Sequence, residues 1–202
     1  MSIRAATYHH GNLRAELLQR AEETIAAEGV DGLSLRQLAR DLGVSHGAPS
    51  RHFRDKRALL DALAYDGFAR MNALMSTAAA SAGTIPHRLD TVAHVYVGFA
   101  VEHAALLSVM YSTKHAADAS DGLREIGQLS LAPTVELLRE AQEAGLIVSG
   151  DVERLALVSF AAVHGVATLA TNQLLEGVPV EEATETTVAL LWAGLTVGAA
   201  RA

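Results

Sequence analysis

Apolar residues recur along this chain at intervals of three and four positions, the repeat of an α-helix buried on one face. In the first such run Leu17, Leu18, Ala21 and Ile25 predict a helix capped by Asn12, running to Glu28 and stopped by Gly29. Ser34 opens a second, with Leu35, Leu38, Ala39 and Leu42 on its buried side. Gln37 stands three residues after that serine, as in a capping box, and Gly43 supplies a left-handed stop. After Val44, Ser45 caps a third helix within HGAPSRHF, and Pro49 there disfavours helical dihedrals at Ala48. Asp55 caps a long fourth helix over 56–80, with Leu59, Leu60, Leu63, Phe68, Met71, Leu74 and Met75 as its apolar positions.

Ser81, Gly83 and Pro86 make the clearest break in the chain. Beyond it the pattern predicts helices over 87–102, 104–111, 120–142, 151–175 and 181–200. The fold class is therefore all-α: a three-helix head, residues 1–57, joined by a long helix to a larger helical body, residues 58–202. A chain of 202 residues, half of them apolar, can bury a substantial core.

The segment 34–60 has the layout of a helix-turn-helix, whose second helix enters a major groove. Between Ser45 and Arg57 four basic side chains face one acidic one, and His46 and His52 add donors. Such a patch suits phosphates and base edges; it is equally the solvated face of an ordinary helical hairpin. The net charge of −7 at first argues against nucleic acid, but its distribution does not. Residues 1–70 carry ten basic and nine acidic side chains, whereas residues 71–202 carry six and fourteen. An acidic body repels DNA everywhere except at the head. The arm over 1–10, with Arg4, is of a kind that reaches into a minor groove.

The run LRAELLQRAEETIAAEGVDGLSLRQLARDLGVSHGAPSRHFRDKRALL, residues 13–60, resembles the DNA-binding head of the TetR family of transcriptional repressors. YHHGNLR at 8–14 is similar to one subset of that family, and AAVHGVATL at 161–169 resembles its WHG-type C-terminal domain. The resemblance implies a homodimer on a palindromic operator in double-stranded DNA, released when a small-molecule effector binds the body. It places Ser34 and Arg36 near phosphates, and Ser45, His46, Gly47, Ala48, Ser50, Arg51 and His52 on the reading helix. Lys56 falls at the phosphate-contacting start of the next helix. Position 50 departs from the family pattern, which usually has tyrosine there; serine keeps a hydroxyl but loses reach.

Within the body, an effector pocket is expected among the helices that start at His87, Ser120 and Asp151. Tyr96, Phe99, His103, Met110, Tyr111, Phe160 and His164 are its candidate lining, apolar bodies with a few polar tips. Each is also an ordinary core residue by type. From Leu155 to Leu175 no charged residue occurs. Ser159, His164, Thr168, Thr171, Asn172 and Gln173 make that stretch too polar for a bilayer. With Val188, Leu191, Trp192, Leu195 and Val197 of the last helix, it is the expected dimer interface.

There is no cysteine, no Gly-rich phosphate loop, no HExxH and no nucleophile elbow, so neither enzyme chemistry nor a cofactor is expected. His94, His103, His115 and His164 form a metal site only if three or more converge, and none is expected. The N-terminus lacks an apolar secretory core, which makes the cytoplasm the default location. The competing function is a helical protein that sequesters a small apolar ligand without touching DNA.

Overall fold

A computed structural model describes residues 13–196. The expected arm over 1–10, the Asn12 cap and Val197 lie outside the described residues. The chain forms α1 (Leu13–Gly32), α2 (Leu35–Asp41), α3 (Lys56–Ala79), α4 (Ile85–Glu102) and α5 (Ala104–Lys114). It continues with α6 (Asp121–Gln128), α7 (Ala132–Glu143), α8 (Val152–Thr171) and α9 (Val180–Leu195). The all-α expectation holds; the only strand-like pairing among the described residues is a single bridge between Ile147 and Thr196.

One continuous core runs the length of the molecule. Leu17, Leu18, Ala21 and Ile25 of α1 pack with Leu38 and Phe53 at one end, and Phe68 and Met71 of α3 carry the core onward to Tyr96, Met110 and Leu123. The long helix α3 starts in the head and ends deep in the body, as its pattern predicts. Leu74, expected on its buried face, is instead half exposed. Gly29 has φ 72° and ψ 178°, so α1 is broken where the stop was expected. A last helical turn, Val30–Gly32, follows the break.

Three boundaries in the body differ from the sequence pattern. The expected helix over 120–142 is two helices, α6 and α7, separated by a 3₁₀ turn at Leu129–Leu131, because Pro133 starts α7 and cannot extend α6 through it. Helix α8 stops at Thr171, four residues early, where Gln173 and Glu176 take positive φ. Helix α9 stops at Leu195: Thr196 turns extended, with ψ 133°, to bridge Ile147, and the Leu195 carbonyl accepts from the Val148 amide at 2.9 Å. The α7–α8 loop thus pins the end of α9 to the body.

Candidate nucleic-acid interface and body cavity

In the head, the Ser34 hydroxyl accepts from the Gln37 amide at 3.1 Å and caps α2. The capping box is only half formed. Gln37 turns its side chain along the helix, donating to Asp41 at 2.7 Å and accepting from Arg40. At the other end Gly43, at φ 66°, allows its own amide to reach the Arg40 carbonyl and the Val44 amide to reach that of Ala39. Arg20 of α1 holds Asp41 at 2.9 Å, and that guanidinium keeps the Asp41 carboxyl below the usual carboxylate range. The angle between α1 and α2 is therefore tied by charge as well as by packing.

The expected reading helix is not a helix from Ser45 onward. Residues 45–48 form a turn and only Pro49–Arg51 make a 3₁₀ turn. Pro49 has no amide to donate back to Ser45, and Gly47 adds backbone freedom. The segment falls back on shorter bonds: Ala48 donates to Ser45, Arg51 to Ala48 and His52 to Pro49, at 2.9 to 3.2 Å. Ala48 nevertheless has helical dihedrals (φ −65°, ψ −46°), against the expectation set by its proline neighbour. Pro49 and Phe53 are buried and anchor the segment, and Arg14 of α1 lies 5.6 Å over the Phe53 ring.

Ser45, His46, Gly47, Ser50, Arg51 and His52 are exposed along that segment, as are Ser34 and Arg36 beside it; Ala48 and Lys56 are half-buried. The Asp55 carboxylate accepts from the Ala58 amide at 2.8 Å, capping α3, so Lys56 stands in its first turn. Several cations of the head have internal partners: Arg20 on Glu23 and Asp41, Arg54 on Asp55, and Arg57 on Asp118. Among the described residues Arg36, Arg51 and Lys56 have no carboxylate within ion-pair distance. They leave an exposed surface with three uncommitted positive charges.

A cavity of about 60 Å³ lies in the body between α4, α7, α8, α9 and the end of α3. Of the residues expected to line it, Tyr96 and Phe160 do. His164 stands behind Tyr96, its Nδ1 2.7 Å from the tyrosine hydroxyl, and stacks on Phe160 with ring centres 5.3 Å apart. Tyr111 meets His164 edge-on at 5.6 Å. Its hydroxyl, close enough to Tyr96 to raise that phenol further, is buried without a partner in hydrogen-bonding geometry. Burial pushes both phenols above their ordinary value and His164 below its own.

Phe99, His103 and Met110 do not reach the cavity. Met110 is fully buried against Gly67 of α3. Phe99 and His103 lie one and two turns beyond Tyr96, towards the α4–α5 bend, where α5 packs on α1. His103 sits at the 99° bend between α4 and α5, its Nδ1 2.9 Å from Glu22 of α1. Arg70 of α3 binds the other oxygen of that carboxylate at 2.8 Å.

The missing walls come from Leu89, Val92, Leu138, Val163, Leu191 and Trp192. On α9 the stripe Val188, Leu191, Trp192, Leu195 was expected to face a second chain; it faces this chain's own cavity. The outward face of α9 is Ala189, Leu190, Ala193 and Gly194, beside Leu157, Val158, Ala161 and Leu169 of α8. Among the described residues no three potential metal ligands converge.

An exposed helix–turn–helical-turn with free cations, set on a helical body with its own cavity, is the architecture of a DNA-binding regulator. Residues 89–195 match the "Tetracyclin repressor-like, C-terminal domain" family and residues 17–63 match "Bacterial regulatory proteins, tetR family". The chain belongs to the TetR family of DNA-binding transcriptional regulators, which are not enzymes. A protein of unknown function from Rhodococcus sp. RHA1 has the same fold at TM-score 0.89 and 49% identity, over 95% of this chain and 100% of that one. The TetR family regulator PfmR from Thermus thermophilus shares the fold at TM-score 0.71 and 16% identity, over 92% and 99%. The class A tetracycline repressor from transposon 1721 (Escherichia coli) is 52% identical over 48 residues, 24% of this chain and 22% of that protein. The repressor AcnR of Corynebacterium glutamicum is 40% identical over 65 residues, 32% and 35% of the two. The chain thus spans about a third or less of these two curated relatives.

Proposed function

We propose that this protein is a cytoplasmic, ligand-responsive repressor, released from a palindromic operator when a small-molecule effector enters the body cavity. The head, residues 1–57, carries the operator site: Ser34, Arg36, Ser45, His46, Gly47, Ala48, Ser50, Arg51, His52 and Lys56. Arg36 and Lys56 neutralise phosphates, while His46, Arg51 and His52 offer donors to base edges. The body, residues 58–202, carries the cavity and pairs two chains through the outward faces of α8 and α9.

One observation supports coupling above all. Helix α4 lines the cavity with Tyr96, and at its end His103 meets Glu22 on the first helix of the head. A change in cavity volume therefore has a packed route to the head. The effector acts by population shift, binding the DNA-incompetent arrangement more tightly than the one whose reading segments are about 34–36 Å apart.

Selection of an operator from random double-stranded DNA tests the reading, followed by binding of Arg51→Ala to the selected sequence. Selective enrichment of a palindrome and a loss of at least about tenfold on substitution support it. A protein that ignores DNA at low salt in every ligand state is instead a sequestering protein.

A further inference from the structure

We propose that the effector is a compact, uncharged, largely apolar molecule, and that it enters by pushing aside the wall formed by Trp192 on α9. The inference rests on reading the body cavity as the effector site. The cavity lining contains no charged side chain. Its polar members are Tyr96, Thr134 and Ser159, and two of these have their hydrogen bonds directed elsewhere. Ser159 donates to the Leu155 carbonyl at 2.9 Å, and the Tyr96 hydroxyl meets His164 at 2.7 Å. Burial holds that phenol neutral and lowers the imidazole, so neither supplies a counter-charge at neutral pH.

A charge adjacent to the lining on α4 is also committed. Arg88, next to the lining residue Leu89, grips both oxygens of Glu140 at 2.8 and 3.0 Å, and its Nε donates to the Ala79 carbonyl at 2.7 Å. An ionic ligand would lose its hydration without gaining a partner, a loss that outweighs the burial of a small apolar body. A neutral one loses nothing comparable and covers apolar wall.

Size identifies the moving part. At about 60 Å³ the cavity is smaller than the roughly 150 Å³ that accepts a benzene ring. One wall must yield. Helix α4 has seven buried residues and α9 has one, Thr184. Within one chain the cavity-facing Leu191 and Trp192 are only half-buried, so α9 is the wall that the chain itself holds least firmly. Its other face is the proposed dimer surface, which places ligand entry next to chain pairing.

Trp192 is the only tryptophan in the chain, so its emission reports entry directly. The full chain, bound to its selected operator at neutral pH, is titrated with toluene, benzoate or benzylammonium, three probes of similar size. Toluene is expected to shift the emission, and each ion to need at least about a hundredfold higher free concentration. An ion that binds as tightly as toluene overturns the proposal, and so does toluene that fails to bind. Val188→Phe fills the cavity and should abolish the toluene response; Leu191→Phe serves the same purpose if the first variant loses helical circular dichroism. A toluene response that survives in a folded filled variant also overturns it. Operator occupancy, followed in the same titration, separates this inference from the regulatory reading. Toluene that shifts Trp192 and leaves DNA bound supports the ligand class and removes the repressor mechanism. An ion that releases DNA while toluene is inert does the reverse.

Discussion

Glu22 on the first helix of the head and His103 at the α4–α5 bend lie 2.9 Å apart, carboxylate oxygen to ring nitrogen. Arg70 takes the second oxygen at 2.8 Å, and Phe99 packs at a tilt against the imidazole with ring centres 4.7 Å apart. A single head carboxylate is therefore gripped by two body elements, one of which is the end of a cavity-lining helix. Hydrogen bonds of this charge-assisted kind contribute about 1.5–3 kcal/mol when sheltered, and less at partly exposed sites such as this one. Glu22→Ala should lower Tm by roughly 2–4 °C, as expected of about 1 kcal/mol in a chain of this size. In urea melts Glu22→Ala and His103→Ala should be non-additive by at least about 0.5 kcal/mol. Additivity would mean that the two residues do not act together.

Lys56 and Arg51 differ in what they should do on DNA. Lys56 stands in the first turn of α3, where the amides of the first turn and the helix dipole also favour a phosphate. Lys56→Ala should weaken binding to all sequences alike, and make log K less steep in log salt by about 0.9. Arg51→Ala should also relax selectivity at one or two base pairs, by about 1–3 kcal/mol each. Fluorescence anisotropy over a salt series, on the operator and on scrambled DNA, measures both. An unchanged slope for Lys56→Ala removes it from the phosphate contacts.

The elements set by local rules were legible in the sequence. Ser34 and Asp55 cap the helices they were expected to cap, and Gly29 and Gly43 end helices with the positive φ that glycine tolerates. Pattern and structure part where a distant residue decides the outcome. Thr196 leaves α9 to bridge Ile147, forty-nine positions away, and no local periodicity announces that pairing. Likewise the stripe Val188, Leu191, Trp192, Leu195, expected at a dimer interface, is apolar by pattern but lines the chain's own cavity. Whether it faces its own chain or another depends on where α4 and α8 lie. Tyr96 and Phe160 were found as cavity residues because aromatic type narrows the choice. Leu89, Val92 and Val163 were missed because aliphatic residues in a cavity wall are indistinguishable from core by type. His103, expected on the cavity, lies away from it because its partner is Glu22, on an element that pattern alone does not place beside it.

His164 makes stability depend on pH in a defined direction. In the unfolded chain its imidazole titrates near the ordinary value of 6.5; in the fold, burial holds it lower. Between the two values the unfolded chain binds a proton that the folded chain does not. Stability is therefore full above about 6.5 and declines as pH falls through the window below it. Urea melts at pH 7.5 and 5.5 should show the decline, and His164→Gln, which can still bond to Tyr96, should reduce it. Asp41, whose carboxyl is lowered by Arg20, starts from an ordinary value of 3.8, so its contribution is lost only at more acid pH. An equally steep decline in His164→Gln would assign the effect to other groups.

The proposed pairing through α8 and α9 rests on what their outward faces expose. Leu157, Val158 and Leu190 are 55%, 59% and 69% exposed, and Ala161, Ala189, Ala193 and Gly194 between them let a second pair of helices come close. Helix α8 is apolar enough by composition to cross a bilayer, yet only 22% of its most apolar stretch is buried within the chain. Single exposed aliphatics are ordinary, but several of them on two helices packed side by side suit a partner. Stable pairs bury about 1,200–2,000 Å² in total, a scale that four helices packed across a two-fold axis can supply. Val158→Arg combined with Leu190→Arg places two like charges on each side of that axis. The variant should sediment at the mass of one chain where the unmodified protein sediments at two. Because two half-sites must be engaged together, its affinity for a full palindrome should fall by at least about a hundredfold. Helical circular dichroism should stay unchanged, since both substitutions point away from the core. A variant that remains dimeric would move the interface off these two faces.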